Sequence, residues 1–180
     1  MVNYLKIVNR NNLLDRTYIP DDLVDTKSSY RNGIMVSSIV SRMFTLMKLE
    51  AIKNGYDIDI MSGYRTYQYQ NIIYNNLIKD KGLNYAFRHI APPGASEHQL
   101  GLAIEICINR CDKCYTEYYI INFDEIKWLH RNAHKYGFIL RYPNDKEEIT
   151  GYKYEPWHFR YVGNMASYMY FNNLVLEELL

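Results

Sequence analysis

The chain lacks any apolar run of about 20 residues, the length a helix needs to cross a bilayer. Its start, Met1 to Asn12, has no apolar stretch long enough for a signal peptide. It also has almost no net charge. Lys and Arg number 21 against 20 Asp and Glu, a balance of +1, so nothing suggests the basic stripe that nucleic acids select. Cysteine is scarce: Cys107, Cys111 and Cys114 are an odd number crowded into one segment, which excludes a secreted disulfide framework. Their spacing invites a structural zinc, but no fourth ligand is evident, so reduced, unligated thiols are expected. There is no internal repeat, low-complexity segment or linker. These absences lead to the expectation of a cytoplasmic protein with no membrane and no nucleic-acid partner.

What is present is a globular composition, 48% hydrophobic and 23% charged. The 180 residues suffice for one full core, so one domain over 1–180 is expected. Tyrosine is abundant at 19 residues. Its apolar ring and polar tip suit both a core edge and a peptide cleft.

Residues 1–33 are polar and turn-rich and read as an extended arm. From Val36 to Asn54 apolar residues recur at helical spacing, and Gly55 follows as a stop. Asp57 to Met61 alternates as a half-buried strand does. After a turn at Ser62-Gly63-Tyr64-Arg65, Thr66 is placed to N-cap a helix reaching Lys81 and ended by Gly82. Ala91-Pro92-Pro93-Gly94-Ala95 cannot be helix interior. Leu102 to Ile108 reads as a buried strand, and 109–121 as an irregular or hairpin insertion. Asn122 to Glu125 has the form of a capping box opening a helix to Tyr136, with Gly137 as its stop. Phe138–Tyr142 and Trp157–Val162 read as strands around a turn at Pro143-Asn144-Asp145, and Asn164 to Leu179 as a final helix. Strands adjoining loops and hairpins favour α+β over a doubly wound parallel sheet.

Two segments carry chemistry. Ser96 to Glu105 and Glu155-Pro156-Trp157-His158 bring two imidazoles and two carboxylates into an otherwise apolar setting. Such groups are costly to bury unpartnered. A divalent metal would satisfy them, since two His and one carboxylate leave a zinc ion an open fourth position, and a second carboxylate can act as base. On the strand 102–108, Glu105 shares a face with Ala103 and Cys107, which leaves room for an ion. The proline at 156 disfavours helix at Glu155, so His158 and Glu155 lie on an extended or turned segment. Spacing alone leaves open whether His98 and His158 are ligands or structurally satisfied residues. His89, His130 and His134 read as ordinary surface or satisfied histidines.

Ser62-Gly63-Tyr64-Arg65, then Ser96-x-His98-x-x-Gly101-x-Ala103-x-Glu105, then Glu155-x-x-His158 resemble the zinc D,D-peptidases of vancomycin resistance: VanX dipeptidases, VanY carboxypeptidases and the bifunctional VanXY enzymes. The likeness covers most of 57–163, including Tyr136 to Pro143 and Glu155 to Gly163, and looks closest to VanXY. The resemblance implies a small antiparallel sheet flanked by helices, with the zinc site on the sheet. It implies one Zn²⁺ held by His98, Glu105 and His158, Glu155 as catalytic base, and Arg65 steadying the oxyanion or a substrate carboxylate. Ser96 matches a serine near the substrate, and Gln70 is placed to line the same cleft. The implied substrates are D-Ala-D-Ala or a peptidoglycan-precursor peptide. One position departs: the family ligand is Asp where this chain has Glu105, one methylene longer, which predicts reduced activity. A cell-wall endopeptidase or endolysin of the same zinc family, or a non-catalytic peptide-binding protein, are the competing readings.

Overall fold

A computed structural model describes residues 3–110, 113–115 and 117–179, with backbone only for 110, 113–115, 117 and 118. Seven strands and six α-helices are present among the described residues: β1 (Leu23–Asp25), β2 (Met35–Ser37), α1 (Ser38–Lys53), β3 (Ile58–Ser62), α2 (Tyr67–Lys81), α3 (Leu83–His89), β4 (Ala103–Arg110), β5 (Lys113–Tyr115), α4 (Asp124–Asn132), β6 (Phe138–Leu140), α5 (Glu147–Thr150), β7 (His158–Tyr161) and α6 (Met165–Phe171). The fold is α+β, with small antiparallel sheets and flanking helices.

The main sheet has the order β3-β4-β7-β6, with β5 added to the far end of β4 as a hairpin. Every pairing is antiparallel, so successive side chains alternate between the two faces. One face is apolar. Ile58 lies opposite Ile108, Ile60 opposite Ile106, and Ile104 opposite Phe159. All six are fully buried, and they join one core with Val40, Phe44, Met47 and Ala51 of α1. The other face carries Asp59, Ala103, Glu105, Cys107, His158 and Arg160. The pattern of strand 102–108 therefore separates core from chemistry as its alternation requires.

The arm does more than extend. Val8 and Leu14 enter the core, and β1 pairs with β2. Asp22 caps α1 from outside the helix: its Oδ2 accepts from the Ser38 N–H at 3.2 Å and the Ser37 hydroxyl at 2.5 Å. A carboxylate there answers both the orphan donors and the helix dipole.

Three helical expectations need correction. The segment Asn122–Glu125 forms no capping box. Asn122 lies in a turn, the Phe123 N–H donates to the Ile120 carbonyl, and Phe123 itself is the N-cap without a side-chain cap bond. The helix from there ends at Asn132, and a tighter 3₁₀ turn over Ala133–Tyr136 completes it before Gly137 in the left-handed region. The final helix stops at Phe171. Asn173 has φ 51°, and the chain turns so that Leu176 packs with Ile139, Val162 and Met169 in a second apolar cluster. Burying that tail outweighs continuing the helix. Two short helices, α3 and α5, have no counterpart in the sequence reading.

Cys107 is disulfide-bonded, which corrects the expectation of reduced thiols at that position. The side chains of Cys111 and Cys114 lie outside the described residues.

Candidate metal centre and active-site cleft

Three adjacent strands build the floor of the site. Ser62 on β3 lies opposite Glu105 on β4, and Glu105 lies opposite His158 on β7. The β3 register shifts between Ile60 and Ser62. Such a bulge re-aims the residues beyond it, and Ser62 leads directly into the turn that carries Arg65. His98 arrives from a 3₁₀ turn, Glu97–Leu100, closed by Gly101 at φ 68°.

Gly63 holds this turn in place. A Cβ at 63 would lie 2.7 Å from Val36 Cγ1 and closer still to the Met35 carbonyl, so the backbone runs flush against β2. That approach aims the Gly63 carbonyl at His98 Nδ1, 2.6 Å away. A carbonyl only accepts, so Nδ1 carries the proton and Nε2 is bare. His158 is arranged the same way by a different partner, with Nδ1 2.9 Å from Glu155 Oε2.

The outcome is two buried Nε2 atoms without hydrogen-bond partners. The ring centroids of His98 and His158 are 5.0 Å apart. His98 Nε2 lies 3.2 Å from Glu105 Oε1, but without the alignment of a hydrogen bond. Ligand atoms from His98, Glu105 and His158 all fall within 4.8 Å of one another. Burial, and then the charge of Arg65, push the His98 imidazole down to about 4, so it is neutral at pH 7. Burial by itself would raise the Glu105 carboxyl. The Arg65 guanidinium beside it outweighs burial and holds the group well below the usual carboxylate range. A neutral bare imidazole nitrogen and an ionised carboxylate are the ligand forms a divalent ion takes, so this donor set fits zinc.

Around the three lies a cleft of about 360 Å³ lined by Arg65, Gln70, Ser96, Glu155, Tyr142 and Tyr152 among others. Every residue expected at the site therefore reaches one cleft. Arg65 Nη2 donates to Glu105 Oε1 at 2.5 Å and to Ser62 Oγ at 2.8 Å. Its own N–H donates to the His98 carbonyl. Thr66 caps α2 through Oγ1, which accepts from the Tyr69 N–H, and Gln70 is the one buried residue of that helix. Gln70 Nε2 donates to the Ala91 carbonyl at 2.7 Å, while its Oε1 is buried without a partner.

Several residues of the site escape a reading by motif. Glu97 lines the cleft beside His98, and Tyr142 packs edge-on against His158 at 4.8 Å. Arg141 and Arg160 lie deeper, beneath the cleft. A signal existed for the last: an Arg inside the apolar run Trp157–Val162 is a charge that must find a buried partner.

The fold is that of a carboxypeptidase and dipeptidase family of peptidases. The family model for VanY, a D-alanyl-D-alanine carboxypeptidase, matches residues 33–164, and the chain belongs to that family. It is 41% identical over 182 residues to the putative carboxypeptidase YodJ of Bacillus subtilis (strain 168), covering 98% of this chain and 66% of the relative. It is 35% identical to the bifunctional D-Ala-D-Ala dipeptidase and D-Ala-D-Ala carboxypeptidase VanXYC of Enterococcus gallinarum, covering 90% and 85% of the two chains. The chain thus spans just under two thirds of the first relative's length. Among solved structures it is similar to the LdcB LD-carboxypeptidase, with TM-score 0.90 and 40% identity over 98% of this chain and 85% of that one. It is also similar to the D,D-pentapeptidase VanY from a VanB-type resistance cassette, a point mutant in complex with Zn(II), with TM-score 0.84 and 34% identity over 98% of each chain.

Proposed function

We propose that this chain is a zinc-dependent D,D-peptidase. It would hydrolyse D-Ala-D-Ala, or remove the C-terminal D-Ala of peptidoglycan pentapeptide precursors, and so contribute to vancomycin resistance by depleting those termini. The whole chain, 1–180, acts as one peptidase domain with residues 1–33 as its arm. The observation that carries the reading is the pair of buried, bare Nε2 atoms converging with Glu105 in a cleft lined by Glu155 and Arg65.

His98, Glu105 and His158 would hold one Zn²⁺, which when bound polarises a carbonyl and acidifies a water. Glu155 does two things. Through Oε2 it keeps the proton on His158 Nδ1, and as a carboxylate lining the cleft it takes a proton from the attacking water and returns it to the leaving amine. Arg65 supplies a fixed positive charge beside the reacting carbonyl, or a partner for the substrate carboxylate. Ser96 and Gln70 line the cleft as hydrogen-bonding groups for the peptide. The unpartnered Gln70 Oε1 is an acceptor suited to a substrate N–H.

The test is metal content together with D-alanine release from D-Ala-D-Ala and from a muramyl pentapeptide. A metal-loaded protein that releases no D-alanine from either would overturn the reading in favour of a non-catalytic peptide binder. Cleavage inside the stem peptide would favour an endopeptidase. The similarity to an LD-carboxypeptidase supports a second reading, removal of D-Ala from a tetrapeptide, where the residue before the scissile bond is L. Parallel assays on tetrapeptide and pentapeptide separate the two.

A cytoplasmic site of action suits soluble precursors. It requires Cys107 to be reduced in the cell, because disulfides persist in oxidising compartments. Alkylation of thiols in freshly lysed cells reads that state directly.

A further inference from the structure

From Glu97 in the cleft wall a layer of charge runs inward, with no direct part in the proposed reaction. Glu97, Arg141 and Arg160 are each no more than 1% exposed. Glu97 Oε1 accepts from Arg141 Nε at 2.8 Å and lies 2.8 Å from Arg160 Nη1. Arg141 Nη1 and Nη2 donate to the two carboxylate oxygens of Glu177 at 2.9 and 2.6 Å, a bidentate pair. Arg160 Nη2 donates to the carbonyls of Tyr4 and Lys6, each at 3.0 Å. Two cations and two anions balance.

Buried ions of this kind add little net stability over well-packed apolar groups. What they supply is direction, because each guanidinium reaches its partners in a fixed fork. The attachments of this layer fall on the segments that carry the two imidazoles. Glu97 immediately precedes His98. Arg160 follows His158 by two residues on β7 and so points to the same face. The Arg141 backbone N–H donates to the His158 carbonyl at 3.1 Å. Glu177 belongs to a 3₁₀ turn, Leu176–Glu178, near the end of the chain.

We propose that Arg141 is a positioning residue of the metal centre. It bridges Glu97 and Glu177 while its backbone holds the His158 carbonyl. It thereby fixes the separation of the two imidazoles and makes the C-terminal 3₁₀ turn part of their support. The inference rests on the metal reading proposed above and extends it to residues that touch neither ion nor peptide.

The test is titration of Zn²⁺ into the metal-free full chain against a chromophoric chelator, with the melting temperature of the metal-free protein read separately. Glu177→Gln, outside the cleft lining, is expected to weaken zinc binding about 10-fold, the lower end for groups that orient ligands. Glu177→Asp is expected to recover part of that loss. Arg141→Lys keeps the charge, loses the fork, and is expected to weaken binding at least as much. Glu178→Gln removes an ion pair to Lys146 in the same turn and is expected to leave zinc affinity unchanged. If Arg141→Lys does not fold, Glu177→Gln decides alone. Wild-type affinity in a folded Glu177→Gln protein overturns the inference, as does an equal loss in Glu178→Gln, since that would report general loosening of the tail. A wild-type chain that binds no zinc overturns the metal reading itself, a different result from a binding wild type with an indifferent Glu177→Gln.

Discussion

Glu105 and His158 face each other across β4 and β7 as direct register partners. Their side chains leave the same face of the sheet, so a carboxylate and an imidazole are brought together by backbone pairing alone. A one-residue slip of either strand would send one of them into the apolar core. The site therefore inherits its precision from the hydrophobic pattern that sets the register, the isoleucines at 104, 106 and 108.

The length of the Glu105 side chain gives a first prediction. Glu105→Asp is expected to raise turnover on D-Ala-D-Ala and to tighten zinc binding, because the shorter ligand matches the family pattern around it. The extra methylene shifts an ion or backbone by about 1 Å, and a misplacement of that size can cost on the order of 100-fold in rate. The comparison is made at equal zinc occupancy. Unchanged kcat and unchanged affinity would mean that the backbone has adapted to Glu105.

Glu155→Gln separates two duties. The amide oxygen still accepts from His158 Nδ1, so zinc affinity is expected to fall by no more than about 10-fold. The amide cannot take a proton from water, so kcat is expected to fall by about 100-fold or more. Near-normal D-alanine release from zinc-loaded Glu155→Gln would remove Glu155 from the role of base.

Gly63→Ala tests the wedge between β2 and the site. The added methyl meets Val36 and the Met35 carbonyl, and overpacking of this kind costs about 1–3 kcal/mol. The backbone must back away, taking the Gly63 carbonyl off His98 Nδ1. Denaturant titration and zinc affinity are both expected to fall. A variant with wild-type values in both would show that the turn has slack.

Asp59 gives the acid limb of stability. Burial tends to raise its carboxyl, but hydrogen bonds from Ser29 and Ile60 and the Lys48 ammonium outweigh this and hold it below its ordinary value. A carboxyl depressed in the folded state contributes stability above its unfolded pKa of about 3.9. That contribution is lost as pH falls through the lower, folded value. Asp59→Asn is expected to be less stable than wild type at pH 7, with the gap closing below about pH 4. Parallel melting curves at pH 7 and pH 3 measure it, and a gap that widens on acidification would contradict the assignment.

Local rules made part of the molecule legible. The helix from Thr66 to Gly82 came from a cap and a stop, each acting within a few residues. The strand through Glu105 came from a short apolar run, Leu102 to Ile108, broken only by Glu105. The family motifs named His98, Glu105, His158, Glu155 and Arg65, and all five line one cleft. Where reading failed, a distant partner had decided. The capping box at Asn122–Glu125 lost to a turn closed by Ile120. The last helix ended early because Leu176 had a second core to fill.

The order of residues along the chain, by itself, determined which side chains are able to bind an ion and which face of β4 they leave. Both follow from chemistry and from a period of two. Only the tertiary structure decided that the Gly63 carbonyl would accept a hydrogen bond from His98 Nδ1–H and that both imidazoles would converge with Nε2 bare. It alone brought Glu97, Arg141, Arg160 and Glu177 together in one charged layer. The pairings of that charged layer join segments far apart in sequence. No local propensity reports them, because the energy that selects a buried charge pair exists only once the surrounding core has excluded water.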